Sequence, residues 1–103
     1  MNLTIAIRDE FGSHLADGTA AAAFRMGRID PHVDTYTEIT LDFTGVRNAN
    51  SSFINALVAG LVEQHGVKVL EKTVFKGCNP PIQVLVEAAV DLGASKINGR
   101  VDA

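Results

Sequence analysis

Tryptophan is absent from this chain of 103 residues, cysteine occurs once and proline three times. The lone Cys78 rules out an internal disulfide framework and suits a reducing compartment. With three prolines and nine glycines, collagen-like and Pro/Gly-rich disordered compositions are excluded. No stretch of about 18 apolar residues occurs, and the N-terminus, Met1 to Glu10, lacks an apolar secretory core. A cytoplasmic protein without a membrane contact is therefore expected. Basic residues are few and scattered, 9 against 12 acidic, and the densest run is only Lys68, Lys72 and Lys76. A phosphate-backbone binder concentrates its cations on one face, so nucleic acid is not an expected partner.

What remains has ordinary globular composition, 47% hydrophobic and 20% charged, and the length of a single domain. One domain over 1–103 is expected, with a frayed tail from Lys96 to Ala103. A core this small competes with any deep cleft for apolar side chains, which favours function on the surface.

Local patterns alternate between two periods. Leu3, Ile5 and Ile7 share one face of a strand, as do Ile39, Leu41 and Phe43, whose other face carries Glu38, Thr40 and Asp42. Val67 to Phe75 is rich in β-branched residues and reads as a third strand. Between these, Asp17-Gly18-Thr19 precedes an alanine-rich helix that Gly27 and Asp30-Pro31 should end. Asn50-Ser51-Ser52 opens a second helix, in which Phe53, Ile54, Leu57, Val58, Leu61 and Val62 recur at helical spacing until Gly66. Asn79-Pro80-Pro81 opens a third, carrying Ile82, Leu85, Val86 and Ala89 and stopped by Gly93. The order βαβαβα predicts an α/β domain with a mostly parallel sheet. Two strands with one polar face each place the helices mainly on one side and leave the other open, to a partner or to a second copy in a homodimer.

Chemistry concentrates in Leu41-Asp42-Phe43-Thr44-Gly45-Val46-Arg47-Asn48-Ala49-Asn50-Ser51-Ser52-Phe53, a strand end, a turn and a helix start bearing two serines. Three roles fit such a serine. As an N-cap, Ser51 or Asn50 satisfies an orphan helix N–H, worth about 1 kcal/mol. As a phosphoacceptor, Ser51 or Ser52 carries an anion that helix-end N–H groups favour, and the added charge could eject an acidic partner. As a nucleophile it lacks the G-x-S-x-G elbow, and no base lies nearby in sequence. Cys78, just before a helix, is a second nucleophile candidate whose thiol pKa the helix end could lower, or simply a small buried residue. His14, His32 and His65 form no metal-ligand spacing. Asp30, His32 and Asp34 read as a solvated loop with at most weak cation affinity. Neither phosphate-cradling glycine motif can be written, so no metal and no cofactor is expected.

The segments "LDFTGV" and "NSSFINALVAGL" resemble the STAS domain of anti-sigma-factor antagonists, and more closely a bacterial STAS-like family of unknown function, over roughly Glu38 to Leu92. The resemblance implies a small STAS-like fold and a non-catalytic signalling module that binds another protein. In the antagonists, a strand ending like "LDLSGV" leads to an Asp-Ser-Ser/Thr-Gly turn whose first hydroxyl is phosphorylated by a kinase of the histidine-kinase-type ATPase fold. That hydroxyl falls on Ser51, with Ser52 as alternate acceptor. This chain has Asn50 in place of the acid and Phe53 in place of the glycine. Asp42, Thr44, Arg47, Asn48, Asn50 and Phe53 frame the expected partner-binding site. The competing expectations are a small serine- or cysteine-dependent enzyme and a structural homodimer subunit.

Overall fold

The computed structural model describes residues 1–101. Strand β1 (Asn2–Ala6) leads into a single helical turn, α1 (Ile7–Phe11), and a two-residue strand, β2 (His14–Leu15). Helix α2 starts at Gly18–Phe24, continues through a π turn, Arg25–Ile29, and closes in a 3-10 turn, Asp30–His32. Strand β3 (Glu38–Asp42) and a second two-residue strand, β4 (Asn48–Ala49), precede helix α3. That helix comprises Ser51–Ile54, a π turn Asn55–Ala59, and Gly60–His65. A 3-10 segment, Val67–Lys72, then meets strand β5 (Thr73–Lys76), and helix α4 (Pro80–Val101) completes the chain.

The result is an α/β domain whose strand pairs are all parallel. β3 is the centre of a three-stranded sheet in the order β1-β3-β5, with Ile5 opposite Leu41 and Leu41 opposite Phe75. A separate ladder joins β2 to β4, pairing His14 with Asn48 and Leu15 with Ala49. The expected alternation is present: Ile5, Ile39 and Leu41 are buried, while Asn2, Thr4 and Glu38 on the opposite face are exposed. The open face, which also carries Ala6, Thr40, Asp42, Val74 and Lys76, holds no buried residue. Parallel sheets are normally covered on both sides, so a bare face of small and polar side chains is unusual. Against the covered face, Ile54, Leu57, Val58, Leu61 and Val62 of α3 are fully buried, as their spacing predicts.

Several boundaries depart from the sequence reading. Val67–Lys72 is 3-10 helix rather than strand, so only Thr73–Lys76 pairs with β3. There Val69 is buried, and the Lys72 ammonium donates to the carbonyls of Val33 (2.5 Å) and Tyr36 (3.0 Å). These contacts outweigh the β preference of the valines. Gly27 does not end α2; its surroundings are open, and a glycine in an exposed helix costs only about 1 kcal/mol. Gly93 does not stop α4 either. A Cβ there would lie 2.9 Å from both the Ala59 carbonyl oxygen and Val62 Cβ, so the glycine lets α4 lie directly on α3. Helix α4 runs on to Val101, past Lys96 where a frayed tail is expected; residues 102–103 of that tail lie outside the described residues. The short elements α1, β2 and β4 have no counterpart in the sequence reading.

Candidate functional site

In a parallel sheet with crossover helices, strand C-termini and helix N-termini gather at one end, where ligands of open α/β sheets are commonly bound. Here that rim holds the loops after β1, β3 and β5. Asn50 is the N-cap of α3: its Oδ1 accepts from Phe53 N–H at 2.8 Å, and its Nδ2 donates to the Ala16 carbonyl at 3.0 Å. One side chain thus satisfies an orphan helix donor and ties α3 to the segment before α2. Asp17 caps α2 in the same manner, accepting from Ala20 N–H at 3.1 Å. The two helix starts touch, since a Cβ on Gly18 would meet Ser52 Oγ at 2.7 Å.

Ser51 and Ser52 are both exposed at this double helix start. With the cap supplied by Asn50, the Ser51 hydroxyl makes no hydrogen bond within the described residues. A phosphate there would sit beside the unsatisfied first-turn N–H groups of α3 and the positive end of its dipole.

Asp42 and Thr44 form a second group. Asp42 Oδ1 accepts from the Thr44 hydroxyl at 2.6 Å and from Thr44 N–H at 2.9 Å, closing a tight turn at the end of β3. The hydroxyl first, then the amide, hold the Asp42 carboxyl below its ordinary range. Gly45, at φ 84°, lies under the Arg8 side chain, where a Cβ would meet Arg8 Cδ at 2.7 Å. Gly77, at φ 70°, packs against Thr44. Between the groups, Arg47 is exposed with its N–H on the Ser13 carbonyl, and Asn48 accepts from the His14 ring at 2.8 Å. Among the described residues, no direct hydrogen bond joins the Ser51 group to the Asp42 group.

Phe53 is not on this surface. It is 1% exposed and packs edge-to-face on Phe11 with ring centroids 4.9 Å apart, so the expectation that it contacts a partner is corrected. Position 53 begins the apolar stripe of α3, and that stripe faces the core. Asn79, absent from the expected site, fastens the rim: Nδ2 donates to the Arg47 carbonyl at 3.0 Å while Oδ1 caps α4 at Ile82 N–H. Its signal was the Asn-Pro-Pro helix start. Arg8 and Gly77 carried no such signal, since only the fold brings them beside Gly45 and Thr44.

Of the two readings of Cys78, the structure fits the small, partly buried residue and not the activated thiol. Burial, and then the Asp42 charge, push the thiol above its ordinary range, opposite to a helix-activated thiolate. The Asp30, His32, Asp34 loop is not simply solvated, because Asp30 accepts from Arg25 at 2.5 Å and pairs with His65 at 2.8 Å. Among the described residues, no group of three His, Cys, Asp or Glu side chains is placed to hold a metal ion. No helix in the described residues is long and apolar enough to cross a membrane.

A family model described as a STAS-like domain of unknown function matches residues 21–83. The chain belongs to this STAS-like family. The matched span runs from within α2 through the two serines to the first turn of α4, so it covers most of the rim. Neither a curated protein nor a solved structure matches the chain.

Proposed function

We propose that this STAS-like domain is a cytoplasmic, non-enzymatic regulatory module that docks on another protein through the rim around the start of α3. Ser51 is its switch. The observation that carries this reading is the division of labour between neighbours: Asn50 supplies the cap, which leaves the exposed Ser51 hydroxyl free to be modified without unmaking the helix start. Ser52 is the alternate acceptor. Asp42, Thr44, Arg47 and Asn48 frame the docking surface, and the antagonist-like arrangement points to a kinase or ATPase of the histidine-kinase type as partner. Phosphate adds about 1.5 to 2 negative charges at neutral pH, enough to repel an acidic partner surface. The chemistry of the rim supports a binding role over a catalytic one, since burial and the Asp42 charge raise the Cys78 thiol pKa and, among the described residues, neither serine is hydrogen-bonded to a base.

Intact mass of the protein produced in its native host, followed by fragmentation, reads the switch directly. One phosphate on Ser51 or Ser52 is expected, and calorimetry with the co-purifying ATPase should give binding for Ser51→Ala and weakened binding for Ser51→Asp. Unmodified serines together with equal affinity of the three forms would overturn the switch.

A further inference from the structure

The sheet ends at β5, which pairs with β3 on one side and with nothing on the other among the described residues. Phe43 N–H donates to the Lys76 carbonyl at 2.7 Å, so the Lys76 backbone faces β3. Alternate residues of a strand direct their backbone groups to opposite sides, which turns the Phe75 N–H and C=O toward the vacant side. Natural edges are commonly kept short or blunted by lysine, proline, a bulge or a covering element; β5 is short and carries Lys76 at its end, but includes no proline, and its Phe75 backbone is left unpaired among the described residues. Beside this edge runs a groove of about 350 Å³ lined by Phe75, Gly77, Cys78, Gln83, Val86 and Glu87.

The helix layer explains the groove. Helix α2 links β1 to β3 and α3 links β3 to β5, while α4 leaves β5 and packs on the far side of α3. The groove lies between the end of β5 and the first two turns of α4. The position beside β5 and beneath α4 is open.

We propose that this position takes an extended segment of a partner protein, which adds to β5 as a fourth strand by main-chain hydrogen bonds. Its alternate side chains enter the groove: an apolar one covers Phe75 and Val86, and a cationic one meets Glu87. Charge complementarity sets that chemistry. Glu87 is exposed and makes no ion pair among the described residues, and no cation lines the groove. Lys76 projects to the opposite face of the sheet. A second copy fits less well, because an isologous β5 ladder would bring a second α4 onto the same side of the interface, where the first already overhangs. This surface is separate from the Ser51 rim reading, and either can fail without the other.

The probe is a blocked peptide, Thr-Val-Thr-Lys-Thr-Val-Thr, titrated into isotope-labelled protein and followed by NMR. Amide shifts should concentrate at residues 73–77 and 83–87, with slowed hydrogen exchange at Phe75. Glu87→Lys, a change at an exposed position, should weaken binding about tenfold, and replacing the central lysine of the peptide by glutamate should restore binding to that variant. Shifts that are absent or lie elsewhere, or equal affinity of both peptides for both proteins, would overturn the proposal. So would β5 shifts that appear on concentrating the protein alone together with a dimer in sedimentation, which would assign the edge to a second copy.

Discussion

The two ends of α3 are held in opposite ways. At its start, the polar fastenings are hydrogen bonds of one surface side chain: Asn50 caps the helix and reaches the Ala16 carbonyl, and the two serines beyond it are exposed. From its middle to its end, the helix is locked to α2 by a network that is largely withdrawn from water. Arg25, 6% exposed, donates from Nε to the Ala56 carbonyl at 2.9 Å and from Nη1 to Asp30, whose other oxygen pairs with His65. The lock sits where both helices make π turns, Arg25–Ile29 and Asn55–Ala59. In the second of these, Gly60 N–H bonds to Asn55, and Gly60 leaves room for the guanidinium. A helix pinned at one end can change charge at the other without losing its seat on the sheet. That contrast supports a surface switch at Ser51 beside the division of labour between Asn50 and Ser51.

Removing the arginine should have the largest effect. Arg25→Ala takes the strongest partner from Asp30 and leaves Ala56 without its cross-helix donor, and breaking a buried pair from one side costs about 3 to 5 kcal/mol. Chemical denaturation should report a loss of that order. A loss below about 1 kcal/mol, the size of an exposed ion pair, would remove the contrast between the two ends.

Gly60→Ala sharpens the same point because helix propensity and packing predict opposite signs. Alanine is favoured over glycine in a helix by about 1 kcal/mol. A Cβ at position 60, however, would lie 2.7 Å from Arg25 Nε and 2.8 Å from Cζ. The guanidinium is held at Ala56 and Asp30 and cannot swing away freely, so a net destabilisation of about 1 to 3 kcal/mol is expected, as for an overpacked core. A stabilised variant would mean that the arginine is looser than its contacts indicate.

These residues also show what the amino-acid order could and could not reveal. The Asn50 cap, the Gly66 stop and the buried stripe of α3 were legible because each is a local or periodic signal. So were the faces of β1 and β3 and the location of the two serines. The lock was not, since Arg25, Asp30, Ala56 and His65 meet only after α2 and α3 pack together, and Asp30 read alone looked like a loop acid. Gly93 and Val67–Lys72 were misread for a related reason: helix contact and the Lys72 anchor overrode local preference. Phe53 belonged to two patterns at once, the serine turn and the apolar stripe, and the stripe decided its position.

At the other end of α3 the effects should be smaller and separable. Asn50→Ala removes the side chain that bonds both Phe53 N–H and the Ala16 carbonyl, and loss of an N-cap costs about 0.5 to 2 kcal/mol. Denaturant midpoints should move accordingly, with no change in slope.

Ser51→Ala is expected to have the least effect of all, within about 0.5 kcal/mol of the parent protein, as for an exposed side chain with no partner. The comparison with its neighbour is what gives the number meaning. If Asn50 alone caps α3, the pair of substitutions separates cleanly, with a measurable loss at position 50 and almost none at position 51. The double variant should then match Asn50→Ala, because no interaction would be left for the second change to remove. A Ser51→Ala loss as large as that of Asn50→Ala would instead assign the hydroxyl a share of the cap, and phosphorylation would then have to break a structural bond before it could act. Stability of the three variants by denaturant titration, measured before any partner is added, decides whether the serine is free to serve as a switch.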